Sequence, residues 1–411
     1  MDKQAIKDIL RPYWYAYRKA IIPLQKLAVK PFIYLTPESP SSIKPPSGFY
    51  PTTADWYEKY QNDPLSSYQE IHPSHSIQRP IPKTLDTQVH WKIRQNYAHE
   101  FPTTFVAKIP QGRAIWESGS VISADNKLLG DVSIEHRRTL QNHSSFTVRK
   151  LPAVHFLSGT AAVLSTQGTD VYFHWMFDVL PRLELLRLAG TNFDNIDHFI
   201  FSSYHRPFQI ETLEALKVPS HKIITHRDFI HLQAEQLLLP SWSGFPGQIP
   251  HWVCQFLRNT FLNSSINLQT ESERRIYISR ASATHRKIKN EVELINFLKP
   301  LGFQVVYLEQ LSVGQQARLF ASAKVVLAAH GAGLSNLVFC QPGTQVIELF
   351  SPEYVETHYW SLSHQLDLDY YYLIGEGKRP REGVDPHKIW DNIEVNLNNL
   401  NTLLAMAQLS V

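Results

Sequence analysis

The sequence predicts an α/β protein built from more than one folded unit, and three observations lead to this prediction. The chain has 411 residues, of which 43% are hydrophobic, enough for two ordinary domains. Short apolar runs alternate with helical patterns through residues 263–390. A second alternation of helical and strand patterns occupies residues 172–240. Strands separated by helices are typical of parallel sheets that helices cover.

Residues 1–85 are expected to form an arm outside these units. Seven Lys or Arg residues stand against two Asp residues in 1–33, and apolar residues follow a roughly helical spacing that Pro12 interrupts. Because each basic residue near an anionic leaflet contributes about 1 kcal/mol, this segment favours peripheral contact with a membrane; a helix packed on the protein's own surface is the alternative. Residues 36–85 are dense in Pro, Ser and Thr and are expected to hold few regular elements.

Residues 86–262 are predicted to form an N-terminal α/β domain. It begins with a β-rich lead-in over about 100–165, where short alternating runs are separated by turns. Helical and strand patterns then alternate. The predicted elements are helices near 174–189, 207–217 and 251–262 and strands at 196–202 and 236–240.

Residues 263–390 are predicted to form a C-terminal doubly wound domain, followed by a helix within 391–411. The polar run 263–273 marks the boundary between the domains. Asn290 with Glu293 and Ser312 with Gln315 have the spacing of capping boxes at helix starts. Four apolar runs are predicted to be buried parallel strands, at 275–280, 303–308, 324–329 and 345–350.

The run 330–336 (HGAGLSN) follows one of these strands and is expected to open a helix. Small residues there let the backbone approach a ligand, and the helix N-terminus suits a diphosphate. Glu348 lies where a carboxylate can accept ribose hydroxyls. Asn336 replaces the third small residue of a dinucleotide fingerprint, which argues against a nicotinamide enzyme. A tight turn that only packs helix on strand is the alternative.

Two arginines follow the first predicted strand of the C-terminal domain. Arg280 ends that strand and Arg286 lies six residues further. Open α/β sheets bind ligands at the carboxyl ends of their strands, and guanidinium groups suit phosphates. Pairing of either arginine with a surface carboxylate is the alternative.

A third group of residues lies within FHWMFDVLPRL. His174 and Asp178 are four residues apart, so on a helix they share a face and can touch. A histidine paired with a carboxylate suits removal of a proton from a sugar hydroxyl. A histidine that is only part of the core is the alternative. His174 and Asp178 could also be two ligands of a metal ion, but no third ligand is evident in the sequence.

Charge and composition restrict the partners. The net charge of +3 is too weak to indicate nucleic acid. Cys254 and Cys340 are the only cysteines, which favours a reducing compartment, and no apolar run reaches the length of a membrane span. A cytoplasmic protein, in peripheral contact with the inner face of the membrane, is expected. Asp367-Leu368-Asp369 has the D-x-D form of a metal site, but the pattern is weak and also fits the approach to a strand.

Four motifs occur in order: FHWMFDVLPRL, RIYISR with Arg286 behind it, HGAGLSNLVF and PGTQVIELF. Together they resemble glycosyltransferase family 61, over about residues 100–375. The resemblance implies a GT-B-like pair of Rossmann-type domains facing a cleft, an inverting reaction, a UDP-sugar donor and no metal or other cofactor. His174 and Asp178 would then be catalytic, in an acceptor-side domain. The residues and the resemblance together predict a donor-binding set of Arg280, Arg286, His330, Gly331, Ala332, Gly333, Leu334, Asn336 and Glu348.

The predicted function is therefore transfer of a sugar from a nucleotide-sugar to a hydroxyl of a glycan or lipid-linked glycan in polysaccharide biosynthesis, such as that of a capsule. One rival is a catalytically silent glycan-binding or assembly protein. Another is a nucleotide-sugar-modifying enzyme, which would need a complete glycine-rich fingerprint.

Overall fold

Two β-sheets joined by helices organise the chain in a computed structural model. The structure describes residues 43–135, 138–245, 247–262 and 274–409, and those described from residue 44 onward belong to one compact unit. The basic segment 1–33 and the polar run 263–273 lie outside the described residues, so the expectations for them stay predictions.

Strands and helices alternate over most of the chain from residue 155 onward, except that β12 follows β11 directly. The strands are β1 (Gly48–Tyr50), β2 (Ser67–His72), β3 (His75–Gln78), β4 (Ala98–Phe101), β5 (Thr104–Pro110), β6 (Arg113–Ile115), β7 (Ser120–Ile122), β8 (Lys127–Leu129), β9 (His155–Val163), β10 (His198–Phe201), β11 (Ile223–Thr225), β12 (His231–Pro240), β13 (Arg274–Ile278), β14 (Phe303–Val306), β15 (Ala323–Ala329), β16 (Gln345–Phe350) and β17 (Asp369–Ile374). The helices are α1 (Thr53–Tyr60), α2 (Trp91–Arg94), α3 (Tyr172–His174), a π-helical turn (Trp175–Val179), α4 (Leu180–Leu188), α5 (Pro207–Ala215), α6 (His251–Phe261), α7 (Glu291–Leu298), α8 (Val313–Ala321), α9 (His358–Gln365) and α10 (Leu397–Met406). Short 3₁₀ helices are Leu140–Asn142, Ser144–Phe146, Phe193–Asn195, Ser220–Lys222 and Leu308–Gln310, with a longer one at Ala332–Phe339.

The first sheet is mixed rather than wholly parallel. Strands β9, β10 and β11 run parallel side by side, and β12 adds in parallel on the other side of β9. Beyond β12 the neighbours β5 and β6 are antiparallel to it. The predicted N-terminal domain therefore contains a parallel section of β12-β9-β10-β11 joined to the β-rich lead-in.

The second sheet is entirely parallel, in the order β14-β13-β15-β16-β17. The chain starts at β13, adds β14 on one side and then continues from β15 on the other. Between β13 and β15 the winding therefore reverses, and ligands of open α/β sheets bind outside the carboxyl ends of strands at such a switch point. Arg280 and His330 directly follow these two strands.

Both sheets contribute to one large hydrophobic core, which contains residues such as Phe199 and Leu238 of the first sheet and Ile276 and Val326 of the second. A separate core fills the other face of the second sheet, under α7 and α10. The capping box of Ser312 and Gln315 is confirmed. That of Asn290 is not, because its side chain bonds the backbone of Val395 instead.

The expectation of few regular elements in 36–85 is wrong for residues 48–78. A capping box of Thr52 with Asp55 starts α1, whose Trp56 is buried. β1 pairs with β8, and β2 pairs with β5. The prolines lie mostly between these short elements, so they separate the elements rather than prevent them. No helix among the described residues combines the length and apolar character needed to cross a bilayer.

Candidate active site

The carboxyl ends of β13 and β15 bring Arg280 against the start of the small-residue run. A Cβ atom on Gly331 would lie 2.1 Å from Nη1 of Arg280. Gly331 has an extended backbone, with φ of 167°, so glycine is required there for space rather than for conformation. The absence of a side chain at this position lets the guanidinium group lie on the backbone.

Arg280 and Arg286 are held by backbone carbonyls instead of carboxylates. Arg280 donates from Nε to the Arg286 carbonyl at 3.0 Å and from Nη2 to the His285 carbonyl at 2.8 Å. Arg286 donates from Nε to the His330 carbonyl at 2.9 Å and from Nη1 to the Ile389 carbonyl at 2.7 Å. Neither guanidinium group has a carboxylate partner within the described part of the chain, so the structure does not contain the surface ion pair that was the alternative. The Glu291 carboxylate bonds the backbone N–H of Arg280, at 3.2 Å, and not its side chain.

The two guanidinium groups are partly buried, yet they remain charged at neutral pH. Burial and the neighbouring Arg286 lower the pKa of Arg280 to about 10. Burial also lowers the pKa of Arg286. Two cations balanced mainly by carbonyl dipoles form a site that favours an anion, and their fork geometry matches phosphate oxygens.

His330 is oriented by Glu348. Its Nδ1 lies 2.5 Å from Glu348 Oε1, and Tyr370 donates to Glu348 Oε2 at 2.5 Å. Glu348 is fully buried, with both oxygens engaged. Each oxygen thus already has a protein partner, and the hypothesis that Glu348 accepts ribose hydroxyls stays a prediction.

The His330–Glu348 pair retains a proton at neutral pH. Burial raises the pKa of Glu348 to about 8 and lowers the pKa of His330 to about 3. Whichever atom of the pair holds the shared proton, Nδ1 of His330 is occupied, so the second ring nitrogen, Nε2, carries an N–H. His330 thus offers a hydrogen-bond donor next to the two arginines.

The run 330–336 forms a 3₁₀ helix at Ala332–Phe339 rather than an α-helix. Ala332 and Gly333 are partly exposed at its first turn. A Cβ on Gly333 would meet Leu308 Cδ1 at 2.9 Å, so this glycine is required by core packing.

Leu334 and Asn336 are buried inside the protein, and their predicted contact with the donor stays a prediction. Asn336 accepts from the Tyr172 hydroxyl at 3.0 Å and donates to Gln316 Oε1 at 2.7 Å. Its amide therefore links the small-residue run to α3 and α8.

His174 and Asp178 touch, as their spacing predicts, with 2.7 Å between Nδ1 and Oδ2. The Asp178 side chain is 6% exposed, whereas that of His174 is 35% exposed. Burial opposes protonation of His174, but the hydrogen bond and the charge of Asp178 outweigh it and raise the pKa of His174. Since Asp178 occupies Nδ1, Nε2 is the nitrogen that remains for a substrate proton.

Aromatic contacts place the His174–Asp178 pair beside the arginines and His330. The ring of Phe173 stacks on His358 at 5.2 Å between centroids, and His358 lies 6.1 Å from His330. His358 belongs to none of the four sequence motifs. No motif spacing could reveal its position between the two groups, because it belongs to a later helix.

Arg182 was also missed as a residue that supports the site. It is fully buried and donates to the Ser165 carbonyl at 3.0 Å and twice to the Pro240 carbonyl, at 3.2 and 2.9 Å. These bonds fix α4 to the carboxyl ends of β9 and β12. An arginine within the otherwise apolar run LPRL was the available signal.

Two acidic groups were candidates for metal binding. Asp369 pairs with Lys83 at 2.5 Å, at the amino end of β17 and so at the sheet edge opposite to Arg280. Glu356, Asp385 and His387 lie close together, but Lys92 Nζ lies 3.0 Å from Glu356 and 2.8 Å from Asp385. A protein ammonium group thus already supplies positive charge to this cluster.

Comparisons with known proteins confirm the resemblance that the four motifs indicated. Residues 172–347 match the model of the family described as Glycosyltransferase 61. The chain is 39% identical over 71 residues to a beta-1,2-xylosyltransferase of Oryza sativa subsp. japonica, covering 17% of this chain and 13% of that protein. It is 30% identical over 91 residues to a xylan glycosyltransferase of Arabidopsis thaliana, covering 21% and 18%. It is 32% identical over 84 residues to an EGF domain-specific O-linked N-acetylglucosamine transferase of Gallus gallus, covering 19% and 16%. The chain thus spans less than a fifth of the length of these curated relatives.

Proposed function

We propose that the glycosyltransferase 61 domain of this chain transfers a sugar from a UDP-sugar to a hydroxyl of a glycan, with inversion at the anomeric carbon and without a metal ion. The observation that carries the proposal is the convergence of Arg280, Arg286 and His330 at the switch point of a parallel sheet, next to the His174–Asp178 pair. Positive groups for a leaving diphosphate and a base for an attacking hydroxyl therefore lie side by side.

The donor diphosphate binds between the two guanidinium groups and the first amides of the helix that begins at Ala332. Its negative charge grows as the bond to the sugar breaks, so fixed protein donors stabilise the transition state more than the bound donor. The N–H of His330 Nε2 adds a third donor. The two sheets then correspond to a GT-B-like arrangement, with the nucleotide on the second sheet.

His174 acts as the base. Inversion requires the hydroxyl to attack from the side opposite to the departing diphosphate, and His174 belongs to the first sheet's half of the chain. Nε2 takes the proton, while Asp178 fixes the ring and stabilises the imidazolium that forms. The relatives' names concern xylosyl and N-acetylglucosaminyl transfer, and UDP-xylose and UDP-N-acetylglucosamine are the donors to test first.

The acceptor class is a glycan or lipid-linked glycan of polysaccharide biosynthesis, of which a capsule is one example. A cytoplasmic location, with the basic segment 1–33 at the inner face of the membrane, would bring the enzyme to lipid-linked acceptors.

A donor screen tests the proposal. UDP-, GDP- and TDP-sugars are supplied with and without a mixture of glycan acceptors, and nucleotide release is measured. We expect release from a UDP-sugar that rises with acceptor. Absence of release from every donor, by protein that is folded by circular dichroism, would contradict the proposal.

Transfer should persist in excess EDTA, because the groups that face the diphosphate are protein cations and N–H donors. Activity of enzyme dialysed against EDTA is compared with that in Mn²⁺ and Mg²⁺. Complete loss in EDTA with recovery in Mn²⁺ would contradict this prediction and would require a metal ion held by carboxylates at the diphosphate.

The affinity for UDP should fall as pH rises through about 8. Burial raises the pKa of Glu348 to about 8, so below this pH the His330–Glu348 pair keeps its proton and its Nε2–H donor. Above it the pair becomes negative beside the phosphates, which weakens binding. Titration calorimetry with UDP from pH 6.5 to 9.5 measures this, and Glu348→Gln, which cannot ionise, should flatten the profile between pH 7 and 9. An identical decline in that variant would assign the effect to another group.

A further inference from the structure

A separate cavity opens at the carboxyl ends of β9, β10 and β11. It has a volume of about 670 Å³, and its walls include Trp116, Glu117, Gly168, His226 and Arg227. A smaller hollow of about 130 Å³ shares Glu117, Gly168 and Arg227 with it and continues past Thr166 and Ser202. We call the two together the β9–β11 cleft. None of the predicted donor-binding residues lines it.

Two buried polar atoms in the walls of the β9–β11 cleft have no partner among the described residues. They are Nε2 of His226 and Oγ1 of Thr166, in side chains that are 2% and 1% exposed. Nδ1 of His226 donates to the Phe229 carbonyl at 3.1 Å, and burial lowers the pKa of His226 to about 4, so Nε2 is a hydrogen-bond acceptor. Buried polar groups left unpaired are costly, and here a ligand rich in hydroxyl groups would satisfy both.

The walls of this cleft are rigid. Ser202 Oγ lies 2.7 Å from the carbonyls of both Glu117 and Thr166, to either of which its single proton can be donated, and it accepts from the Thr166 amide at 3.0 Å. Trp116 has φ of 57°, a left-handed conformation that costs a bulky residue free energy and that is concentrated at functional sites. Its half-buried ring lies against His143, with 6.2 Å between centroids. A flat aromatic group is thus fixed at the edge of the cleft, where a sugar ring can pack.

The β9–β11 cleft reaches His174 through Gly168. Gly168 lines both parts of the cleft, and a Cβ on it would lie 2.8 Å from His174 Cδ2 and 3.4 Å from Nε2. A ligand seated beside Gly168 is therefore separated from the proposed base by a residue that has no side chain.

The charge of the described lining favours a neutral ligand. Glu117, Glu135 and Asp170 are acidic, but Asp170 already pairs with Arg227 at 2.9 Å and Glu135 with Arg138 at 3.6 Å, so Glu117 is the carboxylate in excess. The side chain of Glu117, an exposed residue, has no ion-pair partner in the described ranges, and its carboxylate can accept from sugar hydroxyls. An anionic sugar would meet this excess carboxylate.

We propose that the β9–β11 cleft is the acceptor site and that it binds a neutral glycan, with Thr166, His226 and Glu117 bonding its hydroxyl groups and Trp116 packing on a ring. This inference rests on the proposed function, because it assigns the second substrate of the same reaction. The glycan hydroxyl that enters past Gly168 is the one that His174 deprotonates.

Binding of sugars without any donor tests the proposal. Saturation-transfer NMR on the full chain measures affinity for neutral disaccharides (xylobiose, lactose and mannobiose) and for uronic-acid disaccharides. We expect at least one neutral disaccharide to bind, and Thr166→Val, an isosteric change, to weaken it at least 10-fold. Thr402→Val, on the surface of α10, is the matched control and should bind like the wild type. Glu117→Gln is a second variant of the cleft. It changes an exposed side chain, so its effect on sugar binding cannot be attributed to a change inside the protein.

The outcomes separate this inference from the proposed function. Titration with UDP is run on the same variants and should be unchanged. Neutral-sugar binding that both cleft variants leave intact, preference for the uronic-acid disaccharides, or no sugar binding at all would overturn the acceptor assignment, whatever UDP does. If the wild type does not bind UDP, the proposed function is refuted. The cleft is then still a neutral-glycan site if the cleft variants abolish sugar binding.

Discussion

Replacement of His174 by Ala, or of Asp178 by Asn, should reduce the rate of transfer by about 10²–10⁴-fold and leave UDP affinity nearly unchanged. This is the usual contribution of general-base assistance. Nδ1 of His174 is held 2.7 Å from Asp178, so each variant removes a different part of one unit, the proton acceptor or the group that orients it. Steady-state transfer and titration with UDP are the measurements.

The pH dependence distinguishes a catalytic pair from a structural one. The hydrogen bond and charge of Asp178 raise the pKa of His174 against the opposing effect of burial. A base must be deprotonated, so the rise of activity with pH should move to lower pH in Asp178→Asn, where burial alone remains. His221→Ala, on an exposed 3₁₀ turn, is the control. If both variants stay within a few-fold of the wild type, the base lies elsewhere.

Replacement of Arg280 by Ala should reduce kcat by about 10²–10³-fold, the scale found when one fixed donor to a developing negative charge is removed. The Arg280 side chain lies on the backbone of Gly331 and, among the described residues, donates only to carbonyls, so its charge is directed at the ligand rather than at a carboxylate. Arg280→Lys should recover part of the rate, because it restores the charge but not the planar fork.

The control for this prediction is Arg318→Ala, on the exposed face of α8. Because Arg280 also holds the carbonyls of His285 and Arg286, thermal unfolding of each variant shows whether the loop has loosened. A folded Arg280→Ala enzyme that keeps its full rate would remove Arg280 from the diphosphate site.

The C-terminal half of the fold was predictable because its signals are local. Buried parallel strands are continuous apolar runs, and the four predicted runs correspond to β13, β14, β15 and β16. The elements in 48–78 were not predictable in the same way. β1 pairs with β8 and β2 with β5, so these strands depend on partners far along the chain rather than on their own patterns.

The same distinction between local and distant signals applies to the residues of the site. Contact between His174 and Asp178 follows from their spacing on one helix, and the positions of Arg280 and His330 follow from parallel strands ending at one edge. The partners of Glu348 did not follow, because the hydroxyl of Tyr370 reaches it from the neighbouring strand β17. Likewise, the bond of Asn336 to Tyr172 joins residues whose motifs are 164 positions apart.

The π-helical turn between α3 and α4 sets the direction in which His174 faces. Leu180 donates its backbone N–H to the carbonyl of Trp175, five residues earlier, so this turn holds one residue more than an α-helical turn would. Arg182 anchors the helix beyond the turn. Deletion of a single residue from Trp175–Val179 would rotate everything before it by about 100° relative to that anchor. His174 would then leave the end of the cleft, and Tyr172 would lose Asn336. An active enzyme should therefore tolerate substitution of the apolar side chains in this turn more readily than a change in the length of the turn.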